Sequence, residues 1–146
     1  LPDIEIRRDD IETRLETFRK RNHPDCILCG PNNGLGLEVE FSASKNGDVA
    51  ALVECNELLQ GYTGILHGGI IALLLDSAMT NCLFAAGIAA VTGEMSIRYL
   101  HSAGTDRPVL LTARITRKRP PLFLLRAEMH QGENIAARAS GKFMLP

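Results

Sequence analysis

The stretch Leu66-His67-Gly68-Gly69-Ile70-Ile71-Ala72-Leu73-Leu74-Leu75-Asp76 decides how this chain folds. Six apolar residues run unbroken from Ile70 and stop at a single carboxylate. An apolar run needs no charge, and a buried charge is costly. Beyond Asp76 the chain continues Ser-Ala-Met-Thr-Asn-Cys-Leu-Phe-Ala-Ala to Gly87, a residue suited to ending a helix. The pattern predicts a helix over 68–86, apolar nearly all round, which must be covered on nearly every side. The run Ile70–Val91 has the length of a membrane span. Asp76 and Asn81 in its middle argue against that, since a central aspartate costs about 2.5–3.5 kcal/mol on insertion.

The cover is legible on both sides of the helix. Leu37, Val39 and Phe41 alternate with Glu38 and Glu40, Asn46-Gly47 signals a hairpin, and Val49, Ala51 and Val53 continue beyond it. A loop over 55–66 leads to the helix. After it, Met95, Ile97 and Tyr99 alternate with polar residues, as do Leu111, Ala113 and Ile115, then Phe123, Leu125, Ala127 and Met129. Gly132-Glu133 offers a turn before Ala137, Ala139, Gly141 and Phe143. Polar residues at alternate positions leave one face wet, as in an antiparallel sheet. Ahead of all this, residues 9–21 read as a short helix with Asp9 as N-cap, Glu12 closing a capping box, and Ile11, Leu15 and Phe18 on one stripe. The expected class is α+β, a curved antiparallel sheet of about six strands wrapped around one long helix. Residues 1–25 form an N-terminal helical extension and 26–146 the main domain.

The composition is that of an ordinary globular domain, with 146 residues, 45% hydrophobic, 23% charged and a net charge of −1. Near-neutral charge, 5% aromatics and no Trp argue against a nucleic-acid partner. Four scattered cysteines and no basic-then-apolar leader set the expectation of a reduced, cytoplasmic protein with no membrane partner.

At about 100° per residue, Thr80 lies ~40° and Gly69 ~20° from Asp76 around the helix, so one narrow polar stripe starts at the glycines. The first N–H groups of a helix have no intrahelical partner and sit at the positive end of its dipole. Gly68-Gly69 lets another group approach them closely, making a place for an oxyanion or a polarised carbonyl. Gly68 and Asp76 are nonetheless roughly 12 Å apart along the axis, too far to act on one carbonyl when reacting atoms must come within about 3–3.5 Å. Two copies side by side, Asp76 of one against Gly68 of the other, remove the difficulty. The expectation is a homodimer with shared sites, a dimer of dimers being left open.

These residues resemble a known family. "QGYTGILHGGIIALLLDSAM" followed by "VTGEMSIRYL", with "CILCGPNNGLGL" ahead, looks like the hotdog-fold acyl-CoA thioesterases of the PaaI-like (phenylacetate-pathway) type, over roughly residues 26–145. The resemblance implies hydrolysis of an acyl-CoA thioester with no separate cofactor, CoA being part of the substrate. It implies that Asp76 is the general base or nucleophile, that the Gly68 N–H polarises the carbonyl beside Gly69, and that His67 is the motif histidine. Thr92 aligns with a hydroxyl that positions water in some members, and Thr80 with a threonine one turn past the carboxylate. Gly61 stands where many members carry Asn or Gln, so Gln60 next to it is the candidate for that amide.

Other constellations are weaker. Cys26-x-x-Cys29 is half a zinc site, and no two further ligands follow at zinc spacing, so no metal is expected. Arg98 and the run Arg117-Lys118-Arg119 suit either a solvated strand or contacts to CoA phosphates. Two rival functions share the fold, a hydratase or dehydratase and a non-catalytic acyl-CoA-binding protein. Only hydrolysis frees CoA.

Overall fold

The computed structural model describes residues 8–146. Its centre is α2 (Gly68–Ala85), one unbroken helix. Leu74, Leu75, Ala78, Met79, Leu83, Phe84 and Ala85 along it are at most 1% exposed. Burying each large side chain among them stabilises the fold by about 1.5–3 kcal/mol. The helix is long and apolar enough to cross a membrane, but two thirds of it (67%) is buried inside the protein itself. It ends as its sequence predicts. Gly87 takes φ 74, its N–H bonds to Phe84 O, and the Ile88 N–H reaches back to Leu83 O. That left-handed step satisfies carbonyls the last turn would otherwise leave bare.

The cover is a single six-stranded antiparallel sheet. Its strands are β1 (Ser42–Ala43), β2 (Val49–Val53), β3 (Val91–Tyr99), β4 (Val109–Arg119), β5 (Leu122–Gln131) and β6 (Asn134–Met144), in spatial order β1-β2-β4-β5-β6-β3. Burial alternates along β4, β5 and β6 as the pattern requires, with Leu111, Leu125, Met129, Ala137 and Phe143 turned onto α2. The register keeps them in rows, as in Ala113 opposite Ala127 and Ala127 opposite Ala139. At Gly141 the helix comes so close that an added Cβ would stand 3.0 Å from Met79 Sδ and 2.7 Å from the Phe143 ring. The β5–β6 hairpin turns on Gly132, at φ 57.

Two expectations are corrected. The first strand is far shorter than 37–41 suggests. Val39 and Phe41 are buried as predicted, but the Leu37 and Val39 N–H groups bond to Ile27 O and Leu28 O, and only Ser42–Ala43 joins the sheet. The turn-rich segment before it competes for the same backbone donors. The N-terminal helix α1 runs Arg8–Asn22, so it already contains Asp9 where the sequence suggested a cap; the Asp9 side chain lies outside the described residues. Ile11 and Leu15 are buried as expected, and Arg14 Nε donates to Ala85 O (2.7 Å), tying α1 to the last turn of α2.

β3 differs from the inner strands. Among the described residues it pairs with β6 on one side only, and none of its nine residues is buried. Val91 and Tyr99 are more than half exposed.

Candidate active site

The start of α2 is fixed before any chemistry is asked of it. His67 is its N-cap in extended conformation (φ −62, ψ 134), and its Nδ1 accepts from the Gly69 N–H at 2.8 Å. That bond uses one of the free donors of the first turn. The Gly68 N–H is left with no acceptor among the described residues, while the Gly68 carbonyl accepts from Tyr99 Oη at 2.9 Å. His67, Gly68 and Gly69 are all exposed in the single chain.

The loop before His67 is locked from behind. His67 N–H bonds to Leu59 O, Leu66 N–H to Ala103 O, and Thr105 N–H to Gly64 O. Residues 103–105 are in turn held by Gln131, a buried amide whose Oε1 accepts from Gly104 N–H (2.7 Å) and whose Nε2 donates to Gly104 O (2.8 Å) and Arg107 O (3.1 Å). This chain of bonds sets the direction in which the tip of α2 points. Gly61 packs directly on His67, since a Cβ there would stand 3.3 Å from both His67 Cα and the imidazole Cδ2. Gln60 points its Oε1 at the Gly64 N–H (3.1 Å), within its own loop.

Asp76 lies two turns further on and is half-buried. Its Oδ1 accepts from the Thr92 hydroxyl at 2.7 Å, the short length of a charge-assisted bond. Thr92 sits near the start of β3, where the register slips between Thr92 and Glu94, so the sheet itself brings the hydroxyl to the carboxylate. Thr80, one turn past Asp76, is buried. His23, just after α1, also feels this carboxylate. Burial lowers its pKa, and the Asp76 charge opposes that shift.

The structure therefore joins Asp76 to Thr92, and His67 to Gly61, Gly68 and Gly69, but leaves the two groups two turns apart on one helix. Arg98 joins neither. It lies opposite Arg138 and alternates away from Ile97 and Tyr99, on the outer face of the sheet. A groove of about 950 Å³ on that face is lined by Thr112, Arg114, Arg126 and Arg138 and does not reach Asp76.

Comparison with known proteins follows the same residues. The thioesterase superfamily profile matches residues 63–137, which takes in the tip of α2, Asp76 and Thr92. This chain belongs to the thioesterase superfamily. It is 28% identical over 90 residues to the acyl-coenzyme A thioesterase THEM4 of Bos taurus, a match covering 61% of this chain and 37% of that protein. The chain thus spans little more than a third of the length of this curated relative. Among solved structures it resembles the Escherichia coli PaaI protein of the phenylacetic acid degradation operon, with a TM-score of 0.77 at 16% identity over 93% of this chain and 96% of that one. It also resembles smu.793 from Streptococcus mutans, solved bound to acetyl CoA, with a TM-score of 0.69 at 23% identity over 74% of this chain and 88% of that one. These likenesses establish the hotdog fold.

Three residues of this thioesterase-superfamily chain matter to the site and were not legible as such. Tyr99 reads as one more inward residue of a strand, and only its hydrogen bond to Gly68 O shows it crossing the tip of α2. Gln131 carries the signal of a polar residue at a buried position of an alternating strand, beside the Gly132 turn. His23 has no sequence signal linking it to Asp76, because the fold alone brings them near each other.

Proposed function

We propose that the protein is an acyl-CoA thioesterase acting as a homodimer, with each site built from Asp76 and Thr92 of one copy and His67, Gly68 and Gly69 of the other. The observation that carries this is the 2.7 Å bond from Thr92 to Asp76. It holds one carboxylate oxygen of the only charged residue on the helix and leaves the other oxygen for a water. Superfamily membership and the acyl-CoA thioesterase named among the relatives support the reaction class. The acetyl CoA in the Streptococcus mutans structure supports the ligand class.

In the proposed reaction the thioester carbonyl oxygen lies at the Gly68 N–H of the partner. Asp76 either takes a proton from a water as that water attacks the carbonyl carbon, or attacks the carbon itself. The negative charge that develops on the oxygen meets an N–H at the positive end of a helix. In the first route collapse breaks the carbon–sulfur bond and the departing sulfur takes the proton Asp76 had gained, so that the acid and CoA thiol are released. In the second, collapse leaves an acyl–Asp76 anhydride and CoA thiolate. A water then hydrolyses the anhydride, freeing the acid, restoring the carboxylate and supplying the thiol's proton. No cofactor beyond substrate and water enters this scheme. The dimer is supported by β3, a nine-residue edge strand with no buried residue and free to pair with a second copy. Pairing there would bring two α2 tips and two Asp76 residues into one region. Gly69, Gly61, Gln60 and Thr80 line this site in the proposal, and Arg98, on the outer face, reaches only the distal phosphates of CoA. None of the four cysteines is paired in a disulfide, which supports a reducing compartment such as the cytoplasm.

The test is release of free thiol from a panel of short, medium, long and aryl acyl-CoAs by wild type and Asp76→Asn. Hydrolysis of at least one acyl-CoA, lost in the variant, is the expected result. Double-bond hydration without free CoA, or binding without turnover, would overturn the reading in favour of a hydratase or a binding protein.

A further inference from the structure

Behind α2, on the side where α1 returns to the body, His23, Cys26 and Cys29 come together. One ligand atom from each lies within 4.8 Å of the others, and the three residues range from half-buried to buried. The sequence counts Cys26-x-x-Cys29 as half a site, and the fold adds His23 from three residues upstream of the pair. The His23 Nδ1 to Cys29 Sγ separation is 3.6 Å. Metal–sulfur and metal–nitrogen bonds of about 2.3 and 2.0 Å at a tetrahedral angle put those two ligand atoms about 3.5 Å apart.

The backbone around the pair is shaped for sulfur. The Leu28 N–H points at Cys26 Sγ (3.4 Å), and Gly30 N–H bonds to Cys26 O (2.9 Å), winding the chain tightly around the first cysteine. The turn demands glycine at 30, where a Cβ would press to 2.7 Å from Cys26 O and 2.8 Å from Pro24 O. Arg19 of α1 donates to Cys29 O and so fixes the second cysteine from the other side. A separate observation points to a ligand. Asn81 of α2, whose amide interacts with the Cys29 thiol, is fully buried. Its Oδ1 is a buried side-chain oxygen with no hydrogen-bond partner among the described residues. A water held at the fourth position of a metal would have protons to offer such an oxygen.

We propose that His23, Cys26 and Cys29 hold a zinc ion, the fourth position taken by water, and that the ion pins the 23–36 segment to the back of α2. Two thiolates and one imidazole are a donor set that favours zinc over hard cations. Binding displaces the two thiol protons to solvent, and the two thiolates neutralise the dication. No step of the proposed thioester chemistry runs through this site, although His23 lies within reach of the Asp76 charge.

Protein purified under reducing conditions is titrated with Co²⁺, a spectroscopic stand-in for Zn²⁺, and then with Zn²⁺. The expected result is one equivalent of Co²⁺ per chain, with sulfur-to-cobalt charge-transfer absorption and tetrahedral ligand-field bands that Zn²⁺ bleaches. Cys26→Ser and His23→Asn, both at half-buried positions, should weaken Co²⁺ binding at least 100-fold, whereas Cys55→Ser leaves it unchanged. Added Zn²⁺ should raise the melting temperature of wild type and not of Cys26→Ser. Circular dichroism shows whether each variant is folded, and a variant that unfolds is replaced by Cys26→Ala. Three results would overturn the proposal. They are no stoichiometric cobalt in the reduced protein, cobalt bands that survive Cys26→Ser, or an intact mass short of two hydrogens with a Cys26–Cys29 disulfide in place of metal.

Discussion

Replacing Thr92 by valine removes one hydroxyl and almost nothing else. The two side chains have nearly the same shape, and Thr92 is exposed in the single chain, so the fold should change by no more than about 0.5 kcal/mol. What is lost is the 2.7 Å bond to Asp76 Oδ1. A hydrogen bond to a charged group contributes about 1.5–3 kcal/mol. Asp76 is only half-buried, so water recovers part of that, and roughly 1–2 kcal/mol remains. If the bond holds the carboxylate in its working direction, kcat/KM should fall about 5- to 30-fold. Asp76→Asn should cost more, about 10²–10⁴-fold, the usual share of a general base. The decisive measurement is the cycle, with CoA release followed by a thiol reagent in wild type, both single variants and the double variant. Thr92→Val should matter by less than about twofold once the carboxylate has already become an amide, because the two residues act as one unit. An undiminished Thr92→Val enzyme, or the same loss on top of Asp76→Asn, would refute the coupling.

Gly68→Pro should keep the helix, since proline suits a first helical position and His67 already has the extended backbone that proline requires before it. It deletes the free N–H, and turnover should fall about 10²–10³-fold. Mixing Asp76→Asn and Gly68→Pro subunits should then restore about a quarter of wild-type activity, because half the dimers are mixed and each has one intact site of two; mixtures with no recovery would exclude shared sites. Gly141→Ala should destabilise by about 1–3 kcal/mol in denaturant unfolding, and Met79→Ala should offset part of that loss by making room beside it. Burial raises the Cys82 thiol to about 12, so at pH 8 about one molecule in ten thousand carries its thiolate. Cys82 should therefore resist alkylation in the native protein and react once denaturant returns it to the ordinary thiol range; rapid native labelling would contradict this.

The fold could be read from two periodicities. A run without a polar face demanded a wrapper, and the alternating segments after it supplied one, down to the turns at Gly87 and Gly132. The early strand is shorter than its alternation suggests because alternation records which side chains are buried, not where backbone N–H groups bond; Val39 is buried and Leu37 half-buried, while both bond to 27–28. At the site, Asp76 and the tip of α2 stood out as polar or flexible residues against an apolar background. Thr92 needed the family resemblance, since a threonine opening a strand is an ordinary sight. Tyr99 and Gln131 act through contacts between segments far apart in sequence, and no local pattern encodes those. The Cys26–Cys29 pair is visible in the sequence, while its third neighbour, His23, stands three residues ahead of it and is brought to it by the turn over 23–26.

The bare flank of β3 also bears on how the protein can be handled. Among the described residues no strand covers the outer side of β3, so a lone copy presents its amides and carbonyls beside apolar Val91 and Tyr99, the kind of edge onto which foreign strands add. If that flank is where two copies meet, dilution would strip the protein of its working partner and its protection together. Losses on storage at low concentration would then track subunit separation and not unfolding of the core.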